Sequence, residues 1–160
     1  MQIAVLSDTH GHVGNTLEAV RLLESFEIGA VLHCGDIGSP AIPTLLSDWP
    51  THYVLGNVDH DDARLREAIQ LSGGTLHGRY CELVLETIRI AMLHGDDETL
   101  LRETIERGAF DLLCHGHTHR QARQQAGPTL VLNPGALYRA RPHSLAVVDL
   151  PSLEVAVLEF

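Results

Sequence analysis

The sequence predicts an α/β fold in which two mixed β-sheets pack face to face as a sandwich, with helices on their outer faces. In the first 60 residues, short apolar runs alternate with segments of helical periodicity, which is typical of βαβ units and a parallel sheet. After residue 80 the sequence becomes rich in strand-like segments. Neither a linker nor a repeat interrupts the 160 residues, so we expect one domain spanning residues 1–160.

The first half is predicted to alternate strands with helices. Asn15 and Glu18 resemble a capping box that opens a helix, whose apolar positions extend to Phe26. Ser39 and Pro40 supply an N-cap and a first-turn proline for the next helix. The other predicted elements of this half are the strands Gln2–Leu6, Ala30–His33 and Tyr53–Leu55, and a short helix over Ala63–Ile69 entered through Asp61 and Asp62.

The second half is predicted to contain more strand than helix. Two runs, Tyr80–Leu85 and Ile88–Leu93, form a hairpin pattern that turns near Glu86 and Thr87. A helix is predicted over Glu98–Arg107, with Asp97 as its N-cap and Gly108 directly after its end. The remaining predicted strands are Asp111–Cys114, Arg120–Gln124, Thr129–Leu132, Leu145–Asp149 and Val155–Leu158.

The charge composition disfavours nucleic acid as a partner. The formal net charge is −10, from 21 acidic and 11 basic residues, and the basic residues form no cluster in the sequence. Proteins that grip a nucleic acid backbone need a basic patch, so this class of partner is not indicated. A small anionic ligand would need local positive charge, which bound cations could supply.

The cysteines and the N-terminus favour a cytoplasmic location. Cys34, Cys81 and Cys114 are odd in number and form no C-x-x-C motif, so we expect buried, reduced thiols. The first residues, MQIAVLSDTH, lack a basic lead-in and reach an Asp after a short apolar run. Neither a signal peptide nor a membrane anchor is therefore expected.

Side chains that bind metals follow five of the predicted strands. In open α/β sheets, ligands bind outside the carboxyl ends of the strands, so these side chains are expected to converge. The residues are Asp8, His10, Asp36, Asn57, His94, His117 and His119. Each also fits a simpler interpretation, such as a turn residue or a hydrogen-bonded core histidine. Those interpretations together require five coincidences, so a shared site is favoured.

The donor types indicate the kind of metal. Two carboxylates, one amide oxygen and four imidazoles, without a thiolate, suit Mn, Fe, Zn, Ni or Co rather than a cysteine-based zinc site. We expect Mn, with Mg also compatible. Seven donors suit two divalent ions about 3.5 to 4 Å apart with one bridging carboxylate, an arrangement that can clamp a phosphoryl group. The surplus positive charge would attract an anionic substrate to an acidic protein.

The motifs D-x-H, G-D, G-N, H-G and G-H-x-H, in this order, resemble the calcineurin-like metallophosphoesterase superfamily, and the short length is similar to its YfcE-like phosphodiesterase branch. They lie between Asp8 and His119, and a later turn of the family is matched by Asn133-Pro134-Gly135. The resemblance implies a β-sandwich flanked by helices. It also implies a metal-dependent phosphodiesterase in which a metal-bound hydroxide is the nucleophile.

The resemblance assigns the seven donors to two ions. Asp8, His10 and His119 would hold one metal, while Asn57, His94 and His117 would hold the other. Asp36 would bridge them, and Asp36, Asn57 and His94 would take part directly in catalysis. His115, the first histidine of the cluster around residue 117, would remain outside the ligand set.

Three positions depart from the family pattern. Many relatives have a His directly after the Asn, as G-N-H, to protonate the leaving group, but here Val58 follows Asn57. This loss disfavours monoester hydrolysis. His60 is either a substitute acid or a solvated turn residue. Where relatives often have His-Gly-His and Asn-Pro-Gly-Ser, this chain has Asp96 and Ala136, whose roles do not follow from the sequence.

Two other functional classes can be compared with the enzyme. A TIM-barrel metallohydrolase is excluded by size, because that fold needs about 250 residues. The retromer subunit of the superfamily has a similar fold but serves as a protein-binding scaffold, so a catalytically weak or inactive interaction module is the alternative. All seven donor positions keep a metal-binding side chain, which favours the enzyme. The expected partner is a small phosphodiester or phosphate ester. Association with a membrane is not expected, and an oligomer is compatible with the sequence.

Overall fold

The computed structural model describes residues 1–60 and 63–160, and within these residues the chain forms eleven strands and four helices. Asp61 and Asp62, which were predicted to open a helix, lie outside the described residues. The strands are β1 (Gln2–Leu6), β2 (Ile28–His33), β3 (Thr51–Tyr53), β4 (Thr75–Leu76), β5 (Tyr80–Leu85), β6 (Ile88–Leu93), β7 (Leu112–Cys114), β8 (Ala122–Ala126), β9 (Thr129–Asn133), β10 (Ser144–Asp149) and β11 (Glu154–Glu159). The helices are α1 (Val13–Leu23), α2 (Ala41–Leu45), α3 (Ala63–Leu71) and α4 (Glu98–Arg107).

The strands form two mixed sheets, as the sequence predicts. The first sheet has the order β11-β10-β1-β2-β3-β4, and the second has the order β5-β6-β7-β9-β8. In the first sheet β1, β2, β3 and β4 are parallel, and β10 joins β1 in the antiparallel direction. In the second sheet β6, β7 and β9 are parallel. Each sheet therefore has a set of parallel strands whose carboxyl ends lie at one edge.

Alternating side chains of β1 show how the layers pack. Ile3 and Val5 belong to a buried cluster with Ile90 and Met92 of the second sheet. Ala4 and Leu6 point the other way, into a cluster that includes residues of α1, α2 and α3. A third cluster packs the outer face of the second sheet against α4. Because successive strand residues face opposite sides, this double burial produces the continuous apolar run seen in the sequence.

Several predicted elements are confirmed at their predicted bounds. Strand β1, the β5–β6 hairpin and helix α4 coincide with the predicted segments. The Asp97 side chain accepts the N–H of Leu100 at 3.0 Å, and Gly108 ends the helix with a left-handed φ of 56°. Local capping therefore determines both ends of α4.

The predicted start of α1 is wrong. The helix begins at Val13, because His12 is the N-cap and its Nδ1 accepts the N–H of Asn15 at 3.1 Å. The Asn15 side chain instead donates to the carbonyl of Leu137 at 2.7 Å. Phe26 lies beyond the end of this helix, which closes at Leu23. A contact between residues distant in the sequence has taken the predicted capping side chain.

Smaller differences occur at other element ends. Helix α2 begins at Ala41, with Pro40 rather than Ser39 as its N-cap. The third strand is Thr51–Tyr53 rather than Tyr53–Leu55, since the N–H groups of Val54 and Leu55 bond to the carbonyls of His33 and Gly78 after the strand ends. Strand β8 begins two residues later than predicted, and the short strand β4 was not predicted.

All three cysteines are free and buried, as predicted. Burial raises the pKa of Cys81 to about 11 and raises the pKa values of Cys34 and Cys114 further. None of the thiols is thus poised to react as a thiolate. Among the described helices, none is long and apolar enough to cross a bilayer.

Candidate metal centre

The seven predicted donors lie together where the parallel strands of both sheets end. Asp8 and His10 follow β1, Asp36 follows β2, and His94 directly follows β6. The remaining donors lie on the loops after β3 and β7: Asn57, His117 and His119. The two sheets thus contribute to one cluster, and the predicted convergence is present in the structure.

Asp8, His10 and His119 form one side of the cluster. The Nε2 atoms of His10 and His119 lie 3.2 Å apart. Oδ1 of Asp8 lies 3.1 Å from Nε2 of His119 and 3.8 Å from Nε2 of His10. One donor atom from each of these residues and from Asp36 lies within 4.8 Å of all the others. Four donors at this separation can surround one cation.

Asn57, His94 and His117 form the other side. Nε2 of His94 lies 3.1 Å from Oδ1 of Asn57, and its ring is edge-on to that of His117 at 5.1 Å between centroids. Asp36 lies between the two sides, with Oδ2 3.5 Å from Nε2 of His10 and 3.3 Å from Nε2 of His94. Asp36 thus approaches an imidazole nitrogen on each side of the cluster.

The ring orientation of His94 directs an acceptor into the cluster. Its Nδ1 lies 2.8 Å from the carbonyl of Cys34 and donates to it, which leaves Nε2 facing Asp36 and Asn57. The lone pair of a neutral ring would then point at two oxygen acceptors. Either a proton or a cation must separate these groups, and a second-nitrogen hydrogen bond of this kind is usual for metal-binding histidines.

Charge coupling shifts the pKa values of this pair. Burial raises the pKa of Asp36, but its hydrogen bond with His94 and the nearby histidines outweigh burial and hold the pKa below its ordinary value. Burial lowers the pKa of His94, but the bonds to Asp36 and Cys34 and the charges of Asp36 and Asp8 raise it above its ordinary value. The raised pKa of His94 and the lowered pKa of Asp36 thus both reflect the attraction between this ring and this carboxylate.

The buried carboxylate of Asp8 supports a cation site. Asp8 is fully buried, and its Oδ2 accepts the N–H of His117 at 3.1 Å. No described residue donates a hydrogen bond to its Oδ1, although three imidazole nitrogens lie within 3.9 Å of that atom. A buried anionic oxygen without a partner is costly unless a cation compensates it. The donor set and this oxygen therefore fit divalent metal.

The backbone of the cluster is strained in a recurring way. Left-handed φ values between 45° and 69° occur at five of the seven donors: Asp8, His10, Asp36, His117 and His119. Such values are uncommon outside glycine and cost about 1 kcal/mol or more each. Residues held in this way cluster at functional sites. The folded structure maintains these conformations, and they aim the side chains at one another.

Two glycines allow the loops to approach the carboxylates. A Cβ at Gly56 would collide with Oδ1 of Asp36, and a Cβ at Gly116 would collide with Oγ of Ser7 and lie 2.7 Å from Oδ2 of Asp8. Any side chain at these positions would displace a predicted ligand. The G-N and G-H-x-H motifs thus need glycine for close packing.

Asp59 and Asn133 hold the ligand loops in place, and their roles did not follow from the sequence. The Asp59 carboxylate accepts the N–H groups of Ile37, Gly38 and Gly56 at 3.1, 2.9 and 2.8 Å. These bonds join the loop of Asp36 to the loop of Asn57. Asn133 is buried, and its amide donates to the Gly116 carbonyl at 2.9 Å and to Thr118 at 3.1 Å. The turn signal at Asn133 was recognisable, whereas nothing near Asp59 in sequence indicated its three donors.

The departures from the family pattern have defined surroundings. Val58 is 43% exposed, and its N–H donates to Oδ1 of Asp36 at 3.1 Å. His60 is exposed and lines a cavity of about 100 Å³ together with Val58 and Asp59. Asp96 pairs with Arg79, which also donates to the Gly56 carbonyl at 3.3 Å. Asp96 therefore helps to position the loop that carries Asn57.

Two further positions have structural surroundings. Ala136 is fully buried, and its carbonyl accepts the N–H of Ser144 at 3.1 Å. His115 is half-buried, and its Nδ1 lies 3.2 Å from the carbonyl of Gly116. Burial lowers the pKa of His115. The ring and the main-chain N–H of His115 thus contact the backbone carbonyls of Gly116 and Leu132.

Proteins of similar sequence include phosphodiesterases. The chain is 25% identical to "Phosphodiesterase MJ0936" of Methanocaldococcus jannaschii over 138 residues, which cover 84% of this chain and 83% of the relative. Among solved structures, an archaeal phosphodiesterase superposes with a TM-score of 0.92 at 23% identity and full coverage of both chains. The E. coli phosphoesterase YfcE superposes with a TM-score of 0.71 at 20% identity, covering 99% of this chain and 98% of that one.

The fold is also similar to that of Vps29. The Zn²⁺ complex of Vps29 from Entamoeba histolytica has a TM-score of 0.71 at 18% identity and covers 99% of this chain and 91% of its own. At this identity the likeness concerns the fold alone. Residues 1–152 match the calcineurin-like phosphoesterase superfamily domain. That match spans nearly the whole sequence and includes every strand end of the cluster, so the chain belongs to the calcineurin-like phosphoesterase superfamily.

Proposed function

We propose that this protein is a phosphodiesterase that depends on two divalent metal ions. The observation that carries the proposal is the convergence of seven oxygen and nitrogen donors, with Asp36 between the two sides and with a buried oxygen of Asp8 that accepts no hydrogen bond from any described residue. When bound, the ions would supply positive charge for the phosphoryl group and activate water as the nucleophile.

The proposed ligand assignment follows the two sides of the cluster. Asp8, His10 and His119 hold one ion and Asn57, His94 and His117 hold the other, with Asp36 shared between them. The distances from Asp36 to His10 and to His94 support the shared role. We take Mn as the ion because the donors are oxygens and imidazoles without a thiolate. The free thiols favour a reducing compartment, so we place the protein in the cytoplasm.

The protein itself holds the ligand loops in position and keeps their charges in a fixed arrangement. Asp59 and Asn133 hold the ligand loops through five hydrogen bonds at or below 3.1 Å. The Val58 N–H and the Cys34 carbonyl orient Asp36 and His94. Groups held in advance need little reorganisation when charge develops on the substrate. Asp36, Asn57 and His94 lie closest to the reacting phosphoryl group in this proposal.

The surroundings of Val58 favour diesters with good leaving groups. An apolar side chain stands where many relatives have the histidine acid, and it cannot donate a proton. A positioned acid contributes about 10² to 10⁴ to rate, and alkyl leaving groups need this help most. We therefore place small phosphodiesters ahead of monoesters as the substrate class.

The decisive experiment combines metal analysis with a substrate screen. Protein freed of metal is reloaded with Mn²⁺, its metal content is measured, and its activity is assayed with bis(p-nitrophenyl) phosphate and p-nitrophenyl phosphate. We expect about two ions per chain, greater activity on the diester, and loss of activity with chelator. Equal diester activity in metal-free protein would refute the proposed mechanism.

A non-catalytic scaffold is the second candidate, favoured by the fold similarity to Vps29. It differs from the first candidate in a measurable way. A scaffold would bind metal without turnover of any phosphodiester, whereas the enzyme must lose activity when Asp36 is replaced. The same screen, run with wild type and Asp36→Ala, separates the two candidates.

A further inference from the structure

Two cavities lie side by side next to the metal cluster and share one segment. The first, of about 500 Å³, is lined by His12, Asn15, His143 and residues 138–141. The second, of about 540 Å³, is lined by residues 117–120 and by residues 139–141. We call residues 138–141 the arginine loop, because it carries Arg139 and Arg141. The second cavity includes His117 and His119, so the arginine loop borders the proposed ligands directly.

The positive charge around these cavities is unusual for this protein. All eleven basic residues of the chain are arginines, against 21 acidic residues. Three of them, Arg120, Arg139 and Arg141, line the two cavities. Within residues 1–60 and 63–160 none of the three forms an ion pair, whereas Arg79, Arg89, Arg102 and Arg107 each do. Unpaired guanidinium groups that converge on a cavity are suited to bind an anion.

The arginine loop is held in place from the metal side. Nδ1 of His119 lies 3.4 Å from the Arg139 carbonyl, and Arg139 has a left-handed φ of 54°. Its guanidinium lies 5.4 Å above the Tyr138 ring. That ring stacks on His12 at 5.0 Å between centroids and approaches His10 at 5.9 Å. The Arg139 side chain is therefore positioned relative to two proposed metal ligands, rather than extending freely into solvent.

The base of the loop is tied to the rest of the fold. The Leu137 carbonyl accepts the Asn15 amide at 2.7 Å, and the Leu137 N–H donates to the Ser7 carbonyl at 3.2 Å. Asn15 belongs to α1, and Ser7 precedes the ligand Asp8. These two hydrogen bonds hold the arginine loop in a fixed position beside the cluster. A bound substrate can therefore contact the metal and the arginines at the same time.

From this geometry we propose that the arginine loop, with Arg120, binds a second phosphate group on the substrate. The proposal rests on the proposed function, which places the scissile phosphoryl group at Asp36. The substrate class is then a phosphodiester in which one ester arm carries a terminal phosphate monoester. A phosphate dianion matches planar guanidinium groups that can each donate two hydrogen bonds. Substrates lacking this phosphate reach the cluster without the added contacts.

The test uses two substrates with the same leaving group. Thymidine 5′-(p-nitrophenyl phosphate) is compared with its 3′-phosphorylated counterpart, so that only the second phosphate differs. For the full-length wild type with Mn²⁺ we expect kcat/KM to be about tenfold or more higher for the phosphorylated compound, since hydrogen bonds to charged groups are strong. In Arg139→Gln/Arg141→Gln the ratio of the two values should fall towards one.

The control variant is Arg102→Gln/Arg123→Gln, which also removes two positive charges, but from exposed residues of α4 and β8 that line neither cavity, and it breaks the exposed pair of Arg102 with Glu106. It should keep the wild-type ratio, which shows that net charge alone is not responsible. A ratio near one in the wild type, or a high ratio that survives in Arg139→Gln/Arg141→Gln, would overturn the second-phosphate site.

A binding measurement separates this proposal from the proposed function. Calorimetry compares thymidine 3′,5′-bisphosphate with thymidine 5′-monophosphate on the same three proteins. Hydrolysis of both substrates without any preference would overturn the second-phosphate site and leave the phosphodiesterase standing. Absence of hydrolysis, with bisphosphate still bound more tightly in an arginine-dependent way, would support the anion site and overturn the proposed activity.

Discussion

Nε2 of His94 lies 3.3 Å from Oδ2 of Asp36, although the two residues follow strands of different sheets. His94 directly follows β6 of the second sheet, and Asp36 follows β2 of the first. The pair therefore links the two sheets at the edge where their parallel strands end. Because Asp36 also approaches His10 at 3.5 Å, its carboxylate is the group through which the two sides of the cluster are coupled.

Removing this shared carboxylate should affect both metals. Asp36→Ala should reduce the metal content from about two ions per chain to fewer than one, since it withdraws a donor from both sides. Asn57→Ala should mainly empty one position, because the Asn57 side chain lies on the His94 side of the cluster, 3.1 Å from that ring. Quantitative metal analysis checks both, with the exposed Asp48→Ala as a charge-matched control. Retention of two tightly bound ions in Asp36→Ala would show that Asp36 does not bridge.

Val58 should make the rate depend steeply on the leaving group. Without a positioned acid, the departing oxygen carries its negative charge unaided, so wild-type rates on aryl phosphodiesters should fall sharply as leaving-group pKa rises. Val58→His should flatten this plot and raise rates on poor leaving groups by about 10² or more. His60→Ala should leave the slope unchanged. A flat wild-type plot that becomes steep in His60→Ala would identify His60 as the acid instead.

Asp59 should control metal affinity without contacting metal. Asp59→Asn replaces one oxygen of the carboxylate with an amide NH₂ group, which donates hydrogen bonds instead of accepting them. Because that carboxylate accepts three N–H groups, the loops of Asp36 and Asn57 lose their common anchor. We expect metal affinity to fall about 10- to 100-fold. Metal-free protein should lose about 1 to 3 kcal/mol of unfolding free energy. Metal titration and denaturant unfolding measure the two effects, and Asp48→Asn is the matched exposed control. Unchanged metal affinity in Asp59→Asn would contradict the positioning role.

His33 should make metal-free protein less stable in acid. Burial lowers the pKa of His33 to about 4, while Nε2 lies 3.0 Å from Oγ1 of Thr9. A folded pKa below the unfolded value of about 6.5 means that His33 stabilises the fold fully above pH 6.5 and loses this contribution as pH falls towards 4.

The unfolding free energy of the wild type should therefore decline more steeply than that of His33→Gln over this range, by up to about 3 kcal/mol. Denaturant unfolding at a series of pH values, with chelator present, provides the comparison. Parallel curves for the two proteins would rule out His33 as the titrating group.

The sequence by itself determined the elements whose signals are local. Asp97 and Gly108 lie at the ends of α4, and the paired apolar runs of β5 and β6 are separated by a two-residue turn, so contacts within a few residues specify these segments. The donor residues of the candidate metal centre could also be predicted from the sequence. They follow buried strands, and parallel strands end at one edge of a sheet.

The tertiary structure alone decided how those donors are held. Asn15 lies next to Leu137 only after folding, so a side chain that resembled a cap became a long-range donor and His12 took its place. Asp59 meets Ile37 across 22 residues, and Arg139 is positioned by His119, which lies 20 residues before it. Such contacts form only between loops that the two sheets bring together. Because the partners are distant in the sequence, these contacts leave no periodic or local pattern in it.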